Sequence, residues 1–200
     1  MDALEFGRAI SRARRADERL AWFGALLRKE AGRDVEIVGG SAIEIYLSSD
    51  AYVSQDVDLV GSRSRIEDAL RRWRFTTVTG RSHRLYWTHR SVGLVDIVGA
   101  ADRSGLSPRR MRTPYGELLL SAPEPLVIRR LVRAEREAER ELFRQAVELA
   151  RLGDLDWEYL ESEAGYEKVE AGLRRLRKVV SGLSSGTARR PSLVKPNSGA

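Results

Sequence analysis

The stretch Val35-Glu36-Ile37-Val38-Gly39-Gly40-Ser41, with Asp56-Val57-Asp58-Leu59-Val60 downstream of it, decides the fold. Val35 to Val38 is rich in β-branched residues and closes on two glycines. Ser41 then stands as an N-cap before Ala42, Ile43, Ile45, Tyr46 and Leu47, so the pattern predicts a strand, a tight turn and a helix. Asp56 to Val60 alternates carboxylate and aliphatic residues. That period places Asp56 and Asp58 on one face of a strand and Val57 and Leu59 on the other.

Working outward, Asp96 repeats the arrangement between Val95 and Ile97. If the two strands pair, three carboxylates converge, and like charges about 4 Å apart repel by roughly 4 kcal/mol per pair at an effective dielectric of about 20. A divalent cation removes that penalty, and oxygen-only donors suit magnesium or manganese. At the turn, Gly39 and Gly40 let the backbone approach a ligand, and the first amides of the helix attract phosphate. The Ser41 hydroxyl can add a donor. An anion site therefore precedes a cation site in the chain, as a metal-bound triphosphate requires.

The flanking elements follow from periodicity. Leu20, Trp22, Phe23, Leu26 and Leu27 predict an amphipathic helix over Asp17 to Lys29, stopped by Gly32, and the Arg-rich stretch before it reads as an extension of that helix or as its frayed end. A helix is predicted from Ser64 to Trp73. Strands are predicted at Phe75 to Val78, Leu85 to Thr88 and Leu94 to Val98, with short polar turns that favour antiparallel pairing, and a last one at Glu117 to Leu120. Beyond Pro123 and Pro125 an apolar stripe from Leu126 to Leu149 predicts the longest helix, running to Gly153. Two more helices are expected at Asp156 to Glu163 and Tyr166 to Val180. From Gly182 onward, Gly, Ser, Pro and basic residues dominate, and a disordered tail is expected. The division is thus 1–122 as the α+β unit, 123–181 as a helical region and 182–200 as the tail.

Composition narrows the chemistry. With 200 residues, 42% of them hydrophobic, the chain can bury one good core but not two large domains. It has no cysteine, so disulfides and thiolate metal sites are excluded, and His83 and His89 alone cannot complete a zinc site. Both histidines read as exposed or structural, and Trp22, Trp73, Trp87 and Trp157 read as core or partly buried residues. No run of about 18 apolar residues is available to span a membrane, and a cytoplasmic location is expected. The net charge of +6 favours an anionic partner, nucleotide or RNA, without naming a site.

On these residues the chain resembles the nucleotidyltransferase superfamily, the fold of polymerase-beta-type enzymes. Val38-Gly39-Gly40-Ser41, a helix, Asp56-Val57-Asp58-Leu59 and later Val95-Asp96-Ile97 match the family's glycine turn, its Asp-x-Asp strand and its third acid on a neighbouring strand. The likeness is greatest to the small minimal nucleotidyltransferases, including those of toxin-antitoxin systems, and it spans roughly Val35 to Leu152. Pro123-Glu124-Pro125-Leu126-Val127 is similar to the family's helix opening after the last strand. Where that helix often carries a lysine, Arg129 or Arg130 stands here. The family's arginine and threonine before Asp-x-Asp are replaced by Tyr52, Val53, Ser54 and Gln55, of which only Ser54 resembles the threonine.

The resemblance implies an α+β fold with a mixed, largely antiparallel sheet packed by helices and followed by a C-terminal helical segment. It implies EC 2.7.7-type activity. A nucleoside monophosphate would pass from a nucleoside triphosphate to a hydroxyl on RNA or protein, with Mg2+ or Mn2+ held by Asp56, Asp58 and Asp96. Asp96 would also help to deprotonate the acceptor, and Gly39, Gly40, Ser41, Arg129 and Arg130 would bind the nucleotide. Two other readings belong beside it. One is a non-catalytic antitoxin-like partner on the same fold. The other is an RNA-binding module using the basic helix face Arg174, Arg175, Arg177 and Lys178.

Overall fold

The strand before the glycine pair sits inside a seven-stranded mixed sheet. The computed structural model describes residues 1–48, 54, 56–80, 85–102 and 104–184. Tyr52, Val53, Gln55, His83 and the tail beyond residue 184 lie outside the described residues. The elements are α1 (Ala3–Ser11), α2 (Ala16–Ala31), β1 (Glu36–Val38), α3 (Gly39–Leu47), β2 (Asp56–Val60), α4 (Arg63–Arg72), β3 (Thr76–Thr79), β4 (Leu85–His89), β5 (Gly93–Gly99), β6 (Arg109–Thr113), β7 (Gly116–Leu120), α5 (Pro123–Glu137), α6 (Arg140–Ala150), α7 (Trp157–Glu167) and α8 (Glu170–Ser184).

The strand order is β3-β4-β5-β2-β1-β7-β6. The pairs β3–β4, β4–β5, β1–β2 and β6–β7 are antiparallel, whereas β2–β5 and β1–β7 are parallel. The architecture is therefore α+β with a mixed, largely antiparallel sheet, as the sequence implies. Alternation sorts the two sheet faces. Ile37, Val57, Leu59, Val95, Ile97 and Trp87 are buried, and α2 packs on that side. A side chain at Gly24 of α2 would collide with Ile37 and Leu118, so the helix approaches the sheet at backbone distance. The opposite face carries Asp56 and Asp58, with Glu36 and Val38 of β1 beside them.

Three expectations are corrected. First, the Arg-rich stretch before α2 contains a separate helix, α1. Asp2 and Glu5 close a capping box on it, and Phe6 lies fully buried, stacked on Trp73 at 4.4 Å between ring centroids. Second, the stripe from Leu126 to Leu149 belongs to two helices. Ala138, at φ 51°, ends α5, and α6 folds back against it, so one apolar stripe serves both partners of a helical hairpin. Third, β6 was not expected; only Met111 among Arg109, Arg110, Met111, Arg112 and Thr113 is apolar, as suits an edge strand. In addition, residues 182–184, placed in the tail by composition, complete α8.

The buried cluster runs from α1, α2 and the sheet through Leu126, Val127, Ile128 and Leu131 of α5 to Ala146 of α6 and Leu160 of α7. No helix among the described residues is long and apolar enough to cross a membrane.

Candidate active site

The helix after β1 begins one turn earlier than its serine suggests. Val38 is the N-cap, Gly39 and Gly40 are the first helical residues, and Gly39 adopts φ 64°. That value lies in the left-handed region that glycine enters without a steric cost. There is a second reason for glycine: a Cβ at residue 39 would run into the Asp58 carboxylate. The amide end of α3 and the acid strand therefore touch without an intervening side chain.

Ser41 departs from the expectation. It is neither the N-cap nor a residue of the cleft wall described below. It is 0% exposed, and its hydroxyl donates to the main-chain carbonyl of Asp56. The Ser54 hydroxyl donates to the same carbonyl at 2.8 Å, and the Ser54 amide donates to Glu44 Oε2 at 2.7 Å. Glu44 is buried on α3; burial raises its pKa although the Ser54 amide lowers it, and Asp17 raises it further. These groups fix the start of β2 relative to α3. Sequence reading found Ser54 only through the family threonine and missed Glu44, whose signal was an acid set inside the apolar run Ala42 to Leu47.

The third acid is placed by register. In the parallel pair β2–β5, Asp58 is the Cα partner of Asp96, and Asp56 that of Leu94. In-register neighbours share a sheet face, so Asp56, Asp58 and Asp96 project to the same side. Their environments differ. Asp56 and Asp58 are half-buried on a cleft of about 920 Å³, whereas Asp96, beside Asp58 on the next strand, is 4% exposed and lies off the cleft wall.

The same cleft is lined by Gly39 and Gly40 and, on α5, by Arg129, Arg130 and Arg133. Arg129 is exposed, while Arg130 is 6% exposed. The Pro123-Glu124-Pro125 opening does more than start α5. Glu124 is buried, and its Oε1 accepts the Asp156 amide at 3.0 Å, while Asp156 caps α7 by accepting from Tyr159. Helix α7 is thereby tied to α5 and forms a further side of the cleft, with Tyr159, Glu163 and Glu167 facing in. On the same sheet face, Glu36 of β1 is 7% exposed with Oε1 unbonded; burial and the neighbouring Asp102 raise its pKa to about 7.

Three of the other side chains, His89, Arg175 and Arg177, lie against aromatic rings. His89 stacks on Phe75, and burial, then Arg90, lowers its pKa. Arg175 lies over Phe143, and Arg177 lies over Trp157 and pairs with Glu161.

The donor set fits a hard cation. Among the described residues no three His, Asp or Glu side chains are gathered closely enough to hold an ion by themselves. Magnesium, however, is ordinarily held by one or two carboxylates with water and substrate phosphate filling its other positions. Asp56 and Asp58, beside the glycine amides, meet that requirement.

By sequence the chain matches no family model and no curated protein. Its fold is of the nucleotidyltransferase type. An antigenic nucleotidyltransferase-like protein from Paracoccidioides brasiliensis superposes with a TM-score of 0.60 at 16% identity, over 83% of this chain and 90% of that one. The antibiotic-resistance factor ANT(2'')-Ia superposes with a TM-score of 0.43 at 15% identity, over 84% and 95%.

Proposed function

We propose that this chain is a metal-dependent nucleotidyltransferase that moves a nucleoside monophosphate from a nucleoside triphosphate to an acceptor hydroxyl. The observation that carries the reading is one cleft lined by Gly39 and Gly40 at the start of a helix, by Asp56 and by Asp58, which lies against that helix start, and by three arginines of a neighbouring helix.

Each group has a part. The amides at Gly39 and Gly40 bind terminal phosphate oxygens, and Arg129 and Arg130 neutralise the polyphosphate from α5. Asp56 and Asp58 hold magnesium or manganese, with Asp96 completing the acidic set from β5. An ion held there would supply positive charge against the reacting phosphate. The acceptor oxygen forms a bond to the α-phosphorus, the bond from that phosphorus to the bridging oxygen breaks, and pyrophosphate leaves with its electron pair. The hydroxyl proton passes to the Asp56 and Asp58 carboxylates that line the cleft. Ser41 and Ser54 are positioning residues that hold the Asp56 backbone.

A thermal-shift panel tests this: each triphosphate, with and without magnesium, on the wild type and on Asp56→Ala. A magnesium-dependent rise with at least one triphosphate, absent from the variant, is expected. No rise with any triphosphate, or the same rise in Asp56→Ala, overturns the reading.

A further inference from the structure

Arg15, just ahead of α2, does not line the cleft, yet a chain of contacts leads from it to the acid strand. Its guanidinium donates through Nε to Asp17 Oδ1 at 2.9 Å and through Nη2 to Asp17 Oδ2 at 3.1 Å. Nη2 also donates to the main-chain carbonyl of Ser48, which ends α3 at φ 45°.

An acid in the first turn of a helix ordinarily stands in water, where it favours the helix dipole. Asp17 is only 9% exposed, because α3 packs against α2, and its charge acts on that of Glu44, which is 2% exposed. Glu44 in turn accepts the Ser54 amide at 2.7 Å, and the Ser54 hydroxyl donates to the Asp56 carbonyl at 2.8 Å. Two buried like charges are thus kept together where the strand of Asp56 and Asp58 begins. Stability alone does not favour such an arrangement, and it becomes costlier still if the cation beside it is removed.

We infer that Arg15 is a positioning residue of the candidate metal site: by neutralising Asp17 it lets Glu44 hold the Ser54 amide, and so sets where Asp56 stands. An exposed ion pair two residues apart would contribute little. Here the carboxylate of the pair is buried against a second one, so the damage from losing Arg15 comes through Asp17, and removing the Asp17 charge should repair it. The effect on ligand affinity rests on the proposed nucleotidyl transfer, whereas the contact at Ser54 does not.

The test pairs two readouts on the full chain. One is hydrogen exchange at the Ser54 amide, followed by NMR without ligand. The other is calorimetric affinity for magnesium with the triphosphate that gives the largest thermal shift. Arg15→Gln should speed Ser54 exchange about tenfold and weaken affinity several-fold, and the double variant Arg15→Gln, Asp17→Asn should return both to within about twofold of wild type. Glu44→Leu should lose at least about tenfold in affinity, while Glu44→Gln, whose amide oxygen still accepts from Ser54, should stay within about threefold. Arg12→Gln, at an exposed arginine between α1 and α2, should change neither readout.

Unchanged Ser54 exchange in Arg15→Gln, a loss that Asp17→Asn does not restore, or the same loss in Arg12→Gln overturns the inference. If Arg15→Gln does not fold, recovery of folding on adding Asp17→Asn supports it, and failure to recover overturns it. If the wild type binds no triphosphate, nucleotidyl transfer falls and Ser54 exchange alone decides the role of Arg15. If triphosphate binds and Ser54 exchange is indifferent to Arg15, only the role of Arg15 falls.

Discussion

The Ser41 hydroxyl donates to the main-chain carbonyl of Asp56, so a helix side chain restrains the backbone of the strand that carries the acids. This predicts that Ser41→Ala costs about 1–2 kcal/mol of stability, read by denaturant melts, since a part-buried acceptor loses one of its two hydroxyl partners. Triphosphate affinity should change less than threefold. A large loss of affinity with unchanged stability would instead make Ser41 a direct phosphate ligand.

Gly39 is more demanding. Alanine there must adopt φ 64° and place its methyl group against the Asp58 carboxylate. We expect Gly39→Ala to lose about 1–3 kcal/mol of stability from backbone strain and at least tenfold in magnesium-triphosphate affinity, measured by melts and calorimetry. Wild-type affinity in this variant would show that the turn does not approach the ligand.

Glu36 gives a pH dependence of defined sign. Its folded-state pKa is about 7 against an ordinary 4.5, so between those values the folded state holds a proton that the unfolded state has released. Stability should therefore fall as pH rises from about 4.5 to 7 and level off above, by on the order of 2–3 kcal/mol from this group. In Glu36→Gln that part of the slope should vanish, and the variant should be more stable than wild type at pH 8. Parallel stability–pH curves for the two proteins would contradict the assignment.

Ala138 ends α5 in the left-handed conformation, where alanine is strained and glycine is not. Ala138→Gly should stabilise the fold by about 0.5–1 kcal/mol, visible as a higher melting temperature with unchanged ligand binding. A destabilised variant would mean that the α5–α6 joint does not have this geometry.

What the sequence discloses here is what is local. The strand at Val35 to Val38 and the alternating acids are each written in a few consecutive residues and occur where expected, whereas Gly39 and Gly40, expected as a turn, open helix α3 instead. The convergence of Asp58 with Asp96 is not local; it depends on a parallel pairing between β2 and β5 that no turn signal announces. Ser41 has the type and position of a cap, yet the fold uses its hydroxyl across to β2, a tertiary contact overriding a local preference. The break at Ala138 carries neither glycine nor proline, and the apolar period continues through it. Helix α1 was legible in principle, through Asp2 and Glu5, but the arginines around it masked its short apolar face. Gln145 and the glutamates of α6 and α7 join the cleft only because the helical hairpin folds back, so residue type alone gave no sign of them.

The contact between residue 39 and the acid of β2 also limits how this chain can change over time. While an aspartate stands at 58, position 39 has no room for a side chain, and a larger residue there requires a shorter one on the strand. Among descendants of this sequence the two positions should be exchanged together or kept together, a linkage that comparing enough of them would reveal without any assay.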